Sequence, residues 1–82
     1  MPTMDYAASM TLSEAPLGAP VRIHHLRARP EVSKRLRELG LCEDAVVSCI
    51  MKGHGNIICA LRNTRIGLDR HLAGSILVSS DE

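Results

Sequence analysis

The sequence predicts a mainly β fold: a small antiparallel barrel of about five strands, with a short helix in the first long loop and a one-turn helix before the last strand. Two observations predict this class. Short runs of apolar or alternating residues are separated by glycine, proline and asparagine turns, which is typical of strands. One brief amphipathic stretch, "RLRELGL", lies between the first two of these runs and stops at Gly40.

The N-terminal part of the sequence predicts a tail, a turn and a first strand. Residues 1–10 show no usable periodicity, and we expect them to form a flexible tail ahead of a domain at residues 11–80. Proline and glycine interrupt "TLSEAPLGAP", which predicts an extended entry followed by a turn. "VRIHHL" (21–26) alternates and predicts a half-buried strand. Its inward face would carry Val21, Ile23 and His25.

The first long loop predicts the short helix. Pro30 suits the first turn of a helix, and Glu31 complements the helix dipole there. Gly40 supplies a left-handed stop. Because a helix of this length is not stable alone, its apolar stripe must lie across the strands as a lid on one end of the barrel. The stripe consists of Val32, Leu36 and Leu39.

The second half of the sequence predicts the other strands. "AVVSCIMK" (45–52) is apolar on both faces, which is typical of a central strand, and "GHG" after it is a loop. "NIICALR" and "TRIGLD" pair through a turn at Asn63, since asparagine tolerates a positive φ. Asp69 is a good N-cap for the single turn "RHLAG", and Gly74 closes it. With "SILVSS" as the last strand, this order describes a barrel of the SH3-like kind.

Composition excludes several classes of function. The net charge of +1 does not indicate the strongly basic surface that duplex nucleic acid requires. A single aromatic residue, Tyr6, is too few for the stacking of bases by which single strands are bound. A core built without Trp or Phe in a chain of 82 residues leaves little room for a deep substrate pocket, which usually occupies roughly 300 Å³ or more. The serines and histidines have no catalytic spacing, and "KGHG" lacks the rest of a phosphate-binding loop. We therefore expect neither an enzyme nor a nucleic-acid-binding protein.

The compartment follows from the cysteines and the N-terminus. Three cysteines at spacings that form no C-x-x-C pair indicate a reducing environment. The first residues lack the features of a signal peptide, and no stretch approaches about 20 apolar residues. We expect a cytoplasmic, soluble protein without direct membrane insertion.

The histidines and cysteines raise the question of a metal site. His24 and His25 are adjacent on a strand and point to opposite faces, and Cys49 and Cys59 lie in apolar strands where cysteine is commonly a small buried hydrophobe. No metal is required by this pattern. A transition-metal site for Fe²⁺ or Zn²⁺ stays open as an alternative. Its candidate ligands are Cys42, His54 and His71.

A basic segment is the candidate partner-binding surface. "RARPEVSKRLRE" (27–38) carries five basic residues against Glu31 and Glu38 in a nearly neutral chain. One interpretation is an ordinary solvated helix face. The other is a recognition surface for an acidic patch, where charge sets encounter rate and register. The basic residues are Arg27, Arg29, Lys34, Arg35 and Arg37.

The same stretches resemble the ferrous iron transport protein A (FeoA) family. The motifs are "TLSEAPLG" (11–18), the strand around Ile23, "RLRELGL" (35–41) and "TRIGLDRHLAGSILV" (64–78). Their order within one short domain carries the resemblance. One departure is Asp44, which stands where the family has a glycine in the turn after the helix; aspartate adopts a left-handed turn at modest cost.

The resemblance implies an SH3-like fold and a function. The function would be that of a non-enzymatic cytoplasmic accessory protein of bacterial ferrous iron uptake. Its partner would be the membrane iron permease that carries a cytosolic GTPase domain. The alternative is a metal-binding or metal-sensing module, related to the C-terminal domain of iron-dependent repressors. The oligomeric state stays open, since an open barrel edge and the apolar residues of "AVVSCIM" are compatible with a homodimer.

Overall fold

The computed structural model describes residues 10–81, and among them it contains six strands, two α-helices and one 3-10 turn at Leu12–Glu14. No helix in this part of the chain is long and apolar enough to cross a membrane. The strands are β1 (Met10–Thr11), β2 (Pro20–Leu26), β3 (Val46–Lys52), β4 (Asn56–Leu61), β5 (Thr64–Asp69) and β6 (Ile76–Ser80); the helices are α1 (Pro30–Glu38) and α2 (Arg70–Ala73).

All six strands form one antiparallel sheet in the order β1-β6-β2-β3-β4-β5. The predicted mainly β fold, with α1 in the first long loop and α2 before the last strand, is confirmed. The strand beyond the expected five is β1, in which Met10 pairs with Val78. Residue 10, the last residue of the predicted tail, thus lies in a strand, and the rest of that tail, residues 1–9, lies outside the described residues.

One apolar cluster fills the inside of the sheet. Because the chain has no Trp or Phe, the cluster is built from branched aliphatic residues, alanine and cysteine. Ser33 is the one buried polar residue among residues 10–81, and its hydroxyl donates to the Ala28 carbonyl oxygen at 3.2 Å. The largest fully buried side chains are Leu12, Ile23, Leu36, Leu41, Ile57, Ile76, Val21, Val47, Val78, Cys49 and Cys59.

Helix α1 ends as the sequence predicts. Gly40 has a φ of +98°, and its amide donates to the Arg37 carbonyl oxygen at 2.9 Å. The Leu41 amide donates to the Leu36 carbonyl oxygen, also at 2.9 Å. These two bonds are the Schellman pair, which requires a left-handed residue at the glycine position. The pair turns the chain so that Leu36 and Leu41 both enter the core.

The predicted apolar stripe of α1 is partly wrong. Leu36 is 1% exposed and Val32 packs against the core, as expected for a lid. Leu39, however, is 47% exposed. The reason is the reversal at Gly40, which brings Leu41 rather than Leu39 into the core.

Strand β2 contradicts the predicted position of His25. Its pairing with β6 shifts between Ile23, opposite Val78, and His25, opposite Leu77. This bulge leaves both His24 and His25 exposed and returns the next residue, Leu26, to the core. The prediction that His25 faces inward with Val21 and Ile23 is wrong, because strict alternation does not hold across a bulge.

Strand β3 is central in the sheet but is not apolar on both faces. Val47 and Cys49 are buried, whereas Ile50 and Met51 are 38% and 57% exposed. An antiparallel sheet covers its core on one side only, so the other face meets water. Because β3 lies between β2 and β4, the apolar run "AVVSCIM" is not a free edge; the edges are β1 and β5.

Two other turns use left-handed residues. Asp44 has a φ of +74°, as expected for the residue that replaces the glycine, and its carbonyl oxygen accepts from Arg22 at 3.1 Å. In the β4–β5 hairpin the residue with positive φ is Arg62, at +56°, and not Asn63 as predicted. The two-residue loop places the left-handed conformation one position earlier than the side-chain preference suggests.

The predicted N-cap of α2 is confirmed and gives a stability test. One oxygen of the Asp69 carboxylate accepts from the amides of His71 at 3.0 Å and Leu72 at 3.3 Å. We expect Asp69→Ala to lower the free energy of unfolding by about 1 kcal/mol, the usual value of such a cap. Asp69→Asn is the matched control, because it keeps an acceptor oxygen. Urea unfolding of both variants measures the difference, and equal losses in the two would contradict the capping role.

Candidate functional site

The five predicted basic residues are all exposed, but they occupy different surroundings. Arg29 is the N-cap residue of α1, and Lys34 lies on the outer surface of that helix. Arg35 lines a groove beside α1, and Arg27 lies at the end of β2 in a second depression. Arg37 is paired with an acidic residue. The charges therefore form no single uniform patch.

Arg37 forms a bidentate ion pair with Glu43. Its Nη2 lies 3.0 Å from Oε2 of Glu43, and its Nε donates to Oε1 at 3.3 Å. The hydrogen bonds and charge of Arg37, with a backbone hydrogen bond, lower the pKa of Glu43 to about 2, and Glu43 raises the pKa of Arg37. This pairing compensates the charge of Arg37. The other cation in the last turn of α1 is Arg35, which forms no ion pair within residues 10–81 and is therefore available to a partner protein.

The Arg37–Glu43 pair predicts a shifted titration. The folded-state pKa of Glu43 lies below its ordinary value of 4.5, so the stabilisation is present above about pH 4.5 and is lost as pH falls toward 2. The effect on stability is small because both side chains are largely exposed. We expect NMR titration to give a midpoint for the Glu43 carboxyl well below its ordinary value of 4.5. Arg37→Gln should return it toward 4.5, and an unmoved midpoint in that variant would contradict the pairing.

A largely apolar groove lies beside α1, and we call it the α1 groove. It lies between α1, β5 and α2 and has a volume of about 630 Å³. Leu36 and Leu68 belong to the buried core at its base, and Leu39 is its most exposed apolar residue. Its charged rim carries both signs. The lining residues are Glu31, Val32, Arg35, Leu36, Leu39, Gly67, Leu68, Asp69 and Leu72.

The α1 groove was not predicted from the sequence. Its apolar residues come from three elements that are distant along the chain, and Leu39 was assigned to the core. The one sequence signal that points to it is a leucine just before the glycine stop of an amphipathic helix. At such a position either Leu39 or Leu41 can turn inward, and the one left outside becomes surface. An exposed leucine beside a free arginine is suited to a partner that presents both apolar and acidic groups.

The three candidate metal ligands lie in different parts of the fold. Cys42 follows α1, where its thiol contacts the Gly40 carbonyl oxygen at 3.7 Å; His54 is in the β3–β4 loop, and His71 is in α2. The structure does not bring them together. Across residues 10–81, no three histidine, cysteine or acidic side chains are grouped so that they could hold a metal ion.

The two strand cysteines are core residues. Cys49 and Cys59 lie directly opposite each other on β3 and β4, and both are fully buried free thiols. Burial, together with the neighbouring Cys49, raises the pKa of the Cys59 thiol to about 11. A thiol that stays protonated is a poor nucleophile and a poor metal ligand. Their interpretation as small buried hydrophobes therefore agrees with the structure.

Comparison with known proteins agrees with the fold and the motifs. The FeoA domain profile matches residues 10–80. A search of curated proteins finds no match. Among solved structures, the chain is similar to the FeoA protein of Chlorobium tepidum, with 25% identity and a TM-score of 0.83 over 89% of this chain and 71% of that one.

Two further solved structures bear on the fold. The FeoA of Stenotrophomonas maltophilia, solved as a zinc complex and described as an SH3 domain protein, is 30% identical, with a TM-score of 0.71 over 85% of this chain and 89% of that one. The IdeR protein of T. acidophilum is 15% identical, with a TM-score of 0.78 over 90% of this chain and 35% of that one, and this likeness shows the fold alone. With an SH3-like barrel and a profile match over nearly its whole length, the chain belongs to the FeoA family, which is involved in ferrous iron transport.

Proposed function

We propose that this protein is a non-enzymatic cytoplasmic accessory protein of bacterial ferrous iron uptake. It docks on the cytosolic side of the iron permease, the partner that carries a GTPase domain, and modulates transport. Membership of the FeoA family supports the role in iron transport. The observation that carries the docking surface is the unpaired cation of Arg35 beside exposed Leu39 at the α1 groove.

The two residues would contribute differently to docking. A rim arginine attracts an acidic partner at long range and orients it, which affects mainly the rate of association. An apolar side chain at the centre of a contact supplies affinity by losing its water on binding. Leu39 and Arg35 both line the α1 groove, so one acidic and apolar segment of the permease can engage both. Arg37 plays no direct part in this scheme, because Glu43 already pairs with it.

A metal-binding module is the second candidate, because the Stenotrophomonas maltophilia relative was solved as a zinc complex. In this chain Cys42, His54 and His71 lie apart, so a zinc or ferrous site built on them would need ligands from a second chain. Equilibrium dialysis against Zn²⁺ distinguishes the candidates. Tight stoichiometric binding that is lost in His54→Ala or His71→Ala would favour the metal module.

The docking role is tested by capture from membranes. The tagged protein is mixed with detergent-solubilised membranes that contain the co-expressed permease, with and without a chelator of ferrous iron. We expect capture of the permease in both conditions, because the proposed contacts are apolar and ionic and involve no metal. Capture that disappears with the chelator would favour the metal module instead. Absence of capture in both conditions would overturn the docking role.

A further inference from the structure

A second depression lies beside α2 and has a different chemistry from the α1 groove. It is open to solvent and has a volume of about 640 Å³. Two arginines and a histidine line it together with two serines and a glycine, and no carboxylate does. We call it the arginine corner. Its residues are Ser13, Arg27, Arg70, His71, Gly74 and Ser75.

Three separate stretches of the chain build the arginine corner. Arg27 follows β2, and its amide donates to the Ser75 carbonyl oxygen at 2.7 Å, which fixes it against the segment that follows α2. Arg70 and His71 open α2, whose first turn is held by the Asp69 cap. The 3-10 turn after β1 supplies Ser13. The fold therefore places on one depression two arginines, Arg27 and Arg70, that are 43 positions apart in the sequence.

The two arginines of the corner have no acidic partner within the described residues. The ion pairs found there are Arg22 with Asp81 and Arg37 with Glu43. One oxygen of Asp69, the residue before Arg70, accepts the amide hydrogens of α2. Two uncompensated guanidinium groups that line one depression are a local charge excess in a chain whose net charge is only +1.

The lack of a side chain at Gly74 leaves the Ser13 hydroxyl accessible in the arginine corner. A Cβ placed on Gly74 would meet the carbonyl oxygen of His71 at 3.3 Å and the hydroxyl of Ser13 at 3.8 Å. A side chain at position 74 would therefore be in contact with the Ser13 hydroxyl. With glycine there, the Ser13 hydroxyl lines the same depression as the arginines.

We propose that the arginine corner binds a phosphate-class oxyanion. Guanidinium groups donate paired hydrogen bonds to phosphate oxygens, and two of them from different elements can contact different edges of one tetrahedral group. The Ser13 hydroxyl lies 2.8 Å from the Thr11 hydroxyl, and when Thr11 is the donor of that bond the single hydrogen of Ser13 can be donated to the oxyanion. The Ser75 hydroxyl already donates to the Leu72 carbonyl oxygen and supplies no donor. Free phosphate and the phosphate chain of a nucleotide share this chemistry. This inference does not depend on the docking role.

NMR titration of the full chain tests the proposal. Inorganic phosphate and, separately, a nucleoside triphosphate are added at constant ionic strength, with chloride as the matched control salt. We expect saturable shifts at Arg27, Arg70 and His71 that chloride does not reproduce. Tighter binding of the nucleotide than of phosphate would identify a phosphate chain as the ligand, and equal binding would identify the free anion.

Variants make the test specific. Arg27→Gln and Arg70→Gln should each weaken binding about tenfold, the equivalent of one hydrogen bond to a charged group. Arg65→Gln removes an exposed arginine on β5 and should leave binding unchanged. Shifts that stay linear into the millimolar range, or that persist in the Arg27→Gln/Arg70→Gln double variant, would overturn the site.

Discussion

Leu36→Ala should lower the free energy of unfolding by about 2–5 kcal/mol, the range found when a buried leucine is truncated. Leu36 is 1% exposed and is the one apolar residue of α1 that is fully buried in the core, while Val32 packs partly buried against it. Because α1 is too short to be stable alone, its hold on the barrel depends on such contacts. For a small domain this loss is a large share of the total stability.

Leu39→Ala is the matched control for that prediction. The two leucines lie in the same helical stretch, but Leu39 is 47% exposed, so its truncation should cost well under half as much. Urea or thermal unfolding of both variants gives the comparison. Equal losses at Leu36 and Leu39 would contradict the assignment of α1 as a lid that is held by Leu36.

Gly40→Ala is expected to have the second largest effect, a loss of about 2–3 kcal/mol. An alanine at a φ of +98° carries a strain of roughly 1–2 kcal/mol. In addition, its Cβ would lie 2.6 Å from Cδ2 of Leu61, a side chain that packs against the core and would have to move. The strain falls on the turn that carries the Schellman bonds and directs Leu41 inward.

Gly18→Ala separates the two parts of this cost. Gly18 also has a positive φ, +81°, but nothing lies within 4 Å of an added Cβ there. We expect Gly18→Ala to show the backbone strain alone and Gly40→Ala to show the strain and the displacement of Leu61. Chemical unfolding of the two variants gives the difference. A Gly40→Ala variant that is no less stable than Gly18→Ala would contradict the role of Leu61.

Local signals in the sequence were sufficient where a few neighbouring residues decide the backbone. The stop at Gly40, the left-handed Asp44 and the cap at Asp69 were all predicted and are present. Each depends on the conformational preference of one residue and on hydrogen bonds within a few positions. The order of strands and helices followed from these boundaries.

The predictions that were wrong concern residues whose position is decided across the sheet. The bulge in β2 that exposes His25 depends on the register with β6, which no short window of sequence contains. The outward position of Leu39 depends on which of two leucines the Gly40 turn brings inward. In the hairpin, the two-residue loop rather than side-chain preference places the positive φ at Arg62.

The candidate surfaces could be predicted only in part from the sequence, for the same reason. The basic residues of α1 could be counted, but not their partners. Glu43 contacts Arg37 because the chain reverses at Gly40, and Arg70 and Arg27 line the same depression because β2 pairs with β6. Compensated and free charges therefore look alike in the sequence and differ in the structure.

The affinity of the Arg35→Glu variant for the permease tests the central claim most directly. Arg65→Glu makes the same charge change on an exposed residue of β5, outside the α1 groove, and serves as the control. Binding of each variant to the detergent-solubilised permease is measured against the unmodified chain, after circular dichroism has confirmed the fold. We predict that Arg35→Glu weakens binding by about tenfold or more while Arg65→Glu has little effect. Equal affinities for Arg35→Glu and the unmodified chain would contradict docking through α1.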